Sequence, residues 1–397
     1  MQYDFIIAGA GIAGASIAYE LAKTSRVCVV EGESRPGYHS TGRSAALFAP
    51  SYGGEEIRAL TRASRGFFEQ PPAGFGDQPL LLSRGCLYIA RTDQRAQLSA
   101  MVREIRRSGG RLTELDAHAT RMLVPRLRDG YVDAAALDSD AMDIDVATLH
   151  QGFLRGARAA GVKIITDCLI RIAERHGGVW SLALGDDTIT APTLVNATGA
   201  WADEVASVCG ASRIGLQPMR RTAVIVDPPS GVDVRRWPAV IDADEQFYFK
   251  PDAGRLLLSP ADETAVPPCD VQPDELDVAI GVDRVQRALD LEVRHVQHRW
   301  AGLRTFARDR VPVVGFDPRV PGFFWCAGQG GYGIQSAPAL ARTAAALARG
   351  DAVPQDVLTE GLVADNLSPH RFEVAAVNTS EGVRDHAVPD ERGRGES

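Results

Sequence analysis

Four apolar residues, Phe5, Ile6, Ile7 and Ala8, run straight into Gly9-Ala10-Gly11-Ile12-Ala13-Gly14. A second apolar run, residues 27–30, ends at Glu31. An unbroken apolar tetrad marks a strand buried on both faces, as in a parallel sheet. Residues 15–22, between the two runs, read as a helix. The three glycines act differently. Gly9 permits a tight turn, Gly11 lets backbone approach a pyrophosphate at the helix N-terminus, and Gly14 lets helix and strand pack closely. Glu31 stands twenty residues past Gly11, where an acid reaches a ribose hydroxyl. The glycines alone would suit a structural turn. Strand, helix, second strand and terminal acid in this order point to a bound adenine dinucleotide.

The rest of the pattern alternates in blocks. A strand at 85–90, a charged helix at 93–107 and a turn-rich stretch at 129–145 come first. A helix at 145–160, a strand at 162–165, a hairpin around Gly177-Gly178 and an apolar strand ending in Thr198-Gly199 follow. Residues 216–299 read as strands with Pro- and Gly-rich turns, clearest at 222–226 and 246–250, plus one helix at 274–290. Residues 300–305 then precede a strand at 323–327 and a glycine cluster that opens an alanine-rich helix to Arg349. The pattern predicts an α/β, Rossmann-like nucleotide domain made discontinuously from residues 1–75, 145–215 and 300–365. An antiparallel-sheet α+β domain, residues 76–144 and 216–299, is inserted in two pieces, and a charged tail, 366–397, frays. Ligands then lie at the carboxyl ends of the parallel strands, under the inserted sheet.

Composition narrows the partners. With 43 basic and 51 acidic residues among 397, the formal charge is −8, which disfavours nucleic acid or an anionic membrane. The first strand begins at Tyr3, leaving no room for a signal peptide, and no apolar run approaches the ~18 residues of a membrane span. A cytoplasmic protein without stable membrane insertion is expected. The six cysteines are scattered without a CxxC pair, so reduced thiols are expected, with neither a disulfide frame nor a metal site.

Three further segments could meet the same cofactor. In residues 36–46, small side chains allow close approach of a planar ring, and Ser40, Thr41, Arg43 and Ser44, with Gly42 and Ala45 among them, offer contacts to phosphate or ring. Ala197-Thr198-Gly199 and Trp201 suit the adenine side. Gly328, Gly330, Gly331 and Gly333, with Tyr332, Ile334 and Gln335, make a second nest of N–H donors at a helix start. Two such termini suit a ligand with a diphosphate and a ring edge that turns anionic on reduction. FAD fits; NAD, whose nicotinamide becomes neutral on reduction, fits less well.

Taken together these stretches resemble the D-amino-acid oxidase/glycine oxidase superfamily of FAD-dependent oxidoreductases, across nearly the whole chain to about residue 370. The closest likeness is to the bacterial D-arginine dehydrogenases, through residues 36–46, 71–75, 149–152, 216–218, 247–254, 300–304 and 329–335. The resemblance implies a GR2-type FAD domain and adds Gly32 and Leu169 to the cofactor contacts. It implies that Arg304 clamps a substrate carboxylate, that Arg221 is a second clamp, and that Tyr248 and Tyr52 flank the group, Tyr52 on a mobile lid beside Gly53-Gly54. Backbone at Gly331 completes the pocket, with Ala239 and Ile241 against the substrate side chain. Two positions depart. Cys86 stands where D-arginine dehydrogenases have a glutamate that holds a cationic side chain, and Leu47 where they have a histidine. An unpaired guanidinium in a closed pocket costs about 3–5 kcal/mol, so a neutral or apolar side chain is expected.

A planar guanidinium holds a carboxylate through two parallel hydrogen bonds and fixes its orientation, so the Cα–H can be aimed at flavin N5. The expected chemistry is oxidation of the Cα–N bond to an imino acid, which water converts to a 2-oxo acid and ammonia. No side-chain base is required, and His39 is expected to make a structural hydrogen bond. The helix near Gly333 would stabilise the reduced flavin. FAD is expected to be non-covalent, with oxygen or a quinone-type carrier as electron acceptor. Oxidation of an N-substituted amino acid or of a 2-hydroxy acid would use the same clamp. A flavoprotein without turnover would tolerate the loss of Arg304 or Tyr248.

Overall fold

The computed structural model describes residues 1–76, 78–184 and 187–372. The two apolar tetrads form adjacent parallel strands, Phe5–Ala8 and Val27–Val30, at the centre of a six-stranded sheet. Lys163–Ile165 extends the sheet beyond Val27–Val30; Thr193–Asn196 and Phe323–Ala327 extend it on the other side. Only the edge strand, Val313–Phe316, runs antiparallel. Alternation sends Phe5 and Ile7 into a core with helices Ile12–Leu21 and Gly333–Arg349. Ile6 goes to the opposite core, under the meander Ala173–His176, Val179–Leu184 and Asp187–Ala191. The hairpin expected at Gly177-Gly178 joins the first two of these strands. Among the described residues no helix is long and apolar enough to cross a membrane.

The inserted segments build a nine-stranded sheet. It is mainly antiparallel, as expected, with one parallel pairing, Ala239–Asp242 on Cys86–Ala90. These two strands come from different insertions, so no tight hairpin dictates their direction. Its longest ladder joins Gln217–Val226 to Val296–Phe306, antiparallel. The second of these strands contains residues 300–305, expected only to precede a strand. Residue 300 therefore lies inside the large sheet, and the chain rejoins the parallel sheet at Val313.

The C-terminal segment packs further than expected. Beyond residue 366, Leu367 is fully buried and Phe372 is 9% exposed, while Arg371 bonds Asp309 and the Val311 carbonyl. The expected fraying of residues 373–397 lies outside the described residues.

Candidate active site

A cavity of about 460 Å3 lies between the carboxyl ends of the parallel strands and one face of the large sheet. At one end is the first glycine turn. The helix begins at Ile12, three residues before the position read from the sequence, with Gly11 as its extended N-cap and no side-chain cap. The Ile12 N–H donates to Thr41 Oγ1 at 3.0 Å. The amides of Ala13 and Gly14 have no carbonyl one turn back and remain for an anion. A Cβ on Gly14 would lie 1.9 Å from the Gly9 carbonyl oxygen, so glycine is obligatory there. Glu31 accepts from the Ala10 amide at 2.6 Å and the Glu33 amide at 2.9 Å, which holds its carboxylate at the cavity wall. Gly9, Gly11, Ile12, Ala13, Gly32, Leu169, Ala197, Thr198, Gly199 and Trp201 line the same end. The open helix start, the small-residue floor and the fixed acid fit the diphosphate and ribose of FAD.

The polar side chains of the 36–46 loop are also tied into the protein. Ser40 Oγ donates to the Leu303 carbonyl at 2.6 Å, and Thr41 Oγ1 accepts from the Ile12 amide. The Arg43 guanidinium turns away to Asp270 and to the carbonyls of Val271 and Ala301. These side chains tie the loop to the large sheet, because protein acceptors lie within reach. The loop lines the cavity with Ser40, Thr41, Arg43, Ser44 and Ala45. His39 is held by Glu33 at 2.8 Å, its ring 4.5 Å from Trp201. Gly14 and Gly42 support the turns from behind the wall.

At the other end the long ladder places Arg221 directly opposite Gly302, with Arg304 two residues along the same face. Ala223 and Tyr248 continue that face across the sheet, and all five residues line the cavity. Arg304 is pressed on Gly331, where a Cβ would meet its guanidinium carbon at 2.8 Å. Among the described residues no ion pair engages Arg304, whereas Arg221 and Arg310 share Glu263 at 3.0 and 2.8 Å. Burial alone would lower the Arg304 pKa, but the phenols of Tyr52, Tyr248 and Tyr332 more than offset this and raise it. The Tyr52 phenol is raised by burial, so it stays a neutral donor. Glu263 would be raised by burial, but Arg310, Arg221 and Arg304 hold it below the ordinary range. Arg221 thus shares the single charge of Glu263 with Arg310, and among the described residues its Nε has no hydrogen-bond partner.

The second nest flanks this arginine. Gly330, Gly331, Gly333 and Ile334 line the cavity. Gly328 lies behind it, against Leu216 and Ala307. Tyr332 faces Tyr52, ring centroids 5.1 Å apart. Gln335, expected at the cofactor, instead accepts from the Ala49 amide at 3.1 Å and holds the Tyr52 segment.

Leu47, Cys86 and Ile241 do not line the cavity. They pack with Tyr52 in a closed cluster containing Ala49, Tyr88 and Ala90. Cys86 is fully buried, its thiol pushed up by burial. Ala239, 5% exposed, is in register with Cys86. These side chains form a layer behind Tyr52 because strand pairing closes around them.

Glu263, Arg310, Ala223 and Gly302 were not singled out from the sequence. Alternation would have found the last two, two residues from Arg221 and Arg304, had residues 300–305 been read as strand. Nothing local marks Glu263.

The sequence profile of the FAD dependent oxidoreductase (DAO) family matches residues 4–347, and the chain belongs to that family. An oxidoreductase of Bacillus subtilis is 26% identical over 373 residues, 89% of this chain and 97% of that protein. In fold the chain is similar to glycine oxidase from Geobacillus kaustophilus (TM-score 0.78, 21% identity, 91% of this chain and 98% of that one). It is likewise similar to L-proline dehydrogenase from P. horikoshii (TM-score 0.80, 21% identity, 94% and 98%).

Proposed function

We propose that this FAD-dependent oxidoreductase oxidises the Cα–N bond of an amino acid, a D-amino acid with a neutral or apolar side chain, to an imino acid. Water then converts the product to a 2-oxo acid and ammonia. The observation that carries this reading is the Arg304 guanidinium: charged, free of any ion pair among the described residues, and at the wall of the cavity. A buried cation without a protein counter-charge is stabilised by an anionic ligand, and a carboxylate matches its fork. The bound flavin would supply the two-electron acceptor. Arg304 would hold the carboxylate, the hydroxyls of Tyr52 and Tyr248 would donate to it, and Gly331 would leave room for close approach. FAD is held without a covalent bond in this reading: Cys326, buried in the core under the parallel sheet, does not reach the cavity. Cys86, an uncharged thiol where the resemblance puts a glutamate for a cationic side chain, supports a side chain without charge.

An N-substituted amino acid is the second reading. It is favoured by the likeness to L-proline dehydrogenase, named for a substrate whose nitrogen is secondary. The test is anaerobic bleaching of the flavin by D-, L- and N-alkyl amino acids. D-Leu, D-Met or D-Phe should bleach it with a higher kcat/KM than D-Arg. A preference for D-Arg refutes the side-chain assignment, and bleaching only by N-alkyl substrates selects the second reading. Arg304→Ala should keep its FAD and lose at least roughly a hundredfold in kcat/KM, since removing one partner of a buried charge pair costs about 3–5 kcal/mol. Unchanged turnover in that variant would remove the basis of the reading.

A further inference from the structure

Behind Tyr52 lies a polar cluster with no part in the proposed chemistry. Ser51 Oγ donates to Asp138 Oδ2 at 2.5 Å and lies 3.1 Å from the Tyr88 hydroxyl. The other Asp138 oxygen accepts from the Asp140 amide at 2.9 Å. Ser51, Tyr88 and Asp138 are 5%, 4% and 2% exposed, and Cys86, opposite Asp138 in the ladder, is fully buried. A carboxylate is costly in such a place unless its hydrogen bonds are made. Here one of them goes to the residue next to Tyr52.

We propose that Asp138 is a positioning residue: through Ser51 it holds the Tyr52 segment closed against Arg304. The segment is tied at three more points. Gln335 accepts from the Ala49 amide, Tyr52 donates its own amide to the Ala49 carbonyl at 3.0 Å, and Arg58 donates to the Gly53 carbonyl at 2.6 Å. Gln335 and Arg58 sit on the two helices that flank the segment, and Asp138, with the Tyr88 hydroxyl beside it, ties it to the large sheet. Moving Tyr52 away from Arg304 therefore requires breaking the Ser51–Asp138 bond and leaving a buried carboxylate short of a donor. Ligand exchange would be set by this latch. Asp138 is also spent on the protein, so it offers no counter-charge to a substrate side chain. The role assigned to Tyr52 rests on the proposed amino-acid chemistry; the latch itself does not.

The test is hydrogen–deuterium exchange over residues 49–54 of the FAD-loaded enzyme, with steady-state kinetics beside it. In Ser51→Ala and Asp138→Asn, exchange in this segment should rise at least about tenfold, and Ser51→Thr, which keeps the hydroxyl, should restore the slow rate. In Ser51→Ala, KM should rise more than kcat changes, and the same substitution in a Tyr52→Ala background should add no further rise in KM. Wild-type exchange in Ser51→Ala at full FAD content would overturn the proposal, as would a KM effect of equal size in both backgrounds. Should Asp138→Asn not fold, Ser51→Ala carries the test. Faster exchange in a protein whose flavin no amino acid reduces would uphold the latch and sink the amino-acid reading.

Discussion

Gly331 and His150 each decide something larger than themselves. A methyl group at residue 331 would lie 2.8 Å from Arg304 Cζ and Nη1, so the flexible guanidinium must move off its anchor position. Gly331→Ala should retain FAD and lose roughly ten- to a hundredfold in kcat/KM, the scale of a displacement near 1 Å; flavin content and initial rates check this. His150, 4% exposed, bonds the Ala10 carbonyl through Nε2 at 2.8 Å and packs on Gly37. It thereby links the first glycine turn to the 36–46 loop. Burial lowers its pKa from 6.5, so the unfolded chain takes up this proton at higher pH than the folded one. Stability must then fall as pH drops from about 6.5 toward the folded value. Urea unfolding at pH 7 and 5.5 should show that fall in wild type and a smaller one in His150→Gln. Gly9 and Glu31 could be found from sequence because motif spacing marks them, and Arg304 because the family resemblance points to it. Which protein partners the polar side chains also take could not: Ser40, Thr41 and Arg43 line the cavity and also bond Leu303, Ile12 and Asp270.

Among the elements, the ladder of Gln217–Val226 on Val296–Phe306 does most to build the site, since its register sets Arg221 and Arg304 on one face. The first strand was legible in part, from its β-branched run. The second was hidden by charged and aromatic residues that suit either a loop or a half-exposed strand. The helix Gly333–Arg349 was legible from its alanines and glycine start, but not its attachment. Pro338 interrupts its hydrogen-bond ladder, and the next amide, Ala339, donates across to Ser64 Oγ at 3.0 Å on helix Glu55–Glu69. Ser64 is fully buried. Ser64→Ala should cost about 1–3 kcal/mol, the penalty of a buried donor left unsatisfied, read as a lower urea midpoint at unchanged slope.

At the scale of the whole molecule, FAD would bridge the glycine turn on the parallel sheet and the arginine face of the large sheet. A ligand bound only by the folded chain stabilises it by about 4 kcal/mol at a thousand times Kd. The unfolding temperature should therefore rise with added FAD, and the apoprotein should melt lower; an unfolding temperature indifferent to FAD would contradict a cavity built for it. By itself the sequence determined the dinucleotide unit, the two glycine nests and the α/β order. Those depend on short-range rules: apolar runs that must be buried, turns that only glycine can make, and amides left free at helix starts. Tertiary structure alone decided that Asp138 takes Ser51, that Glu263 pairs with Arg221 and Arg310 while Arg304 has no ion pair among the described residues, and that Cys86 lies behind Tyr52. Such partners can stand 286 residues apart, as Ala49 and Gln335 do. Hydrogen bonds and ion pairs are chosen by distance through space, and no local pattern along the chain encodes that distance.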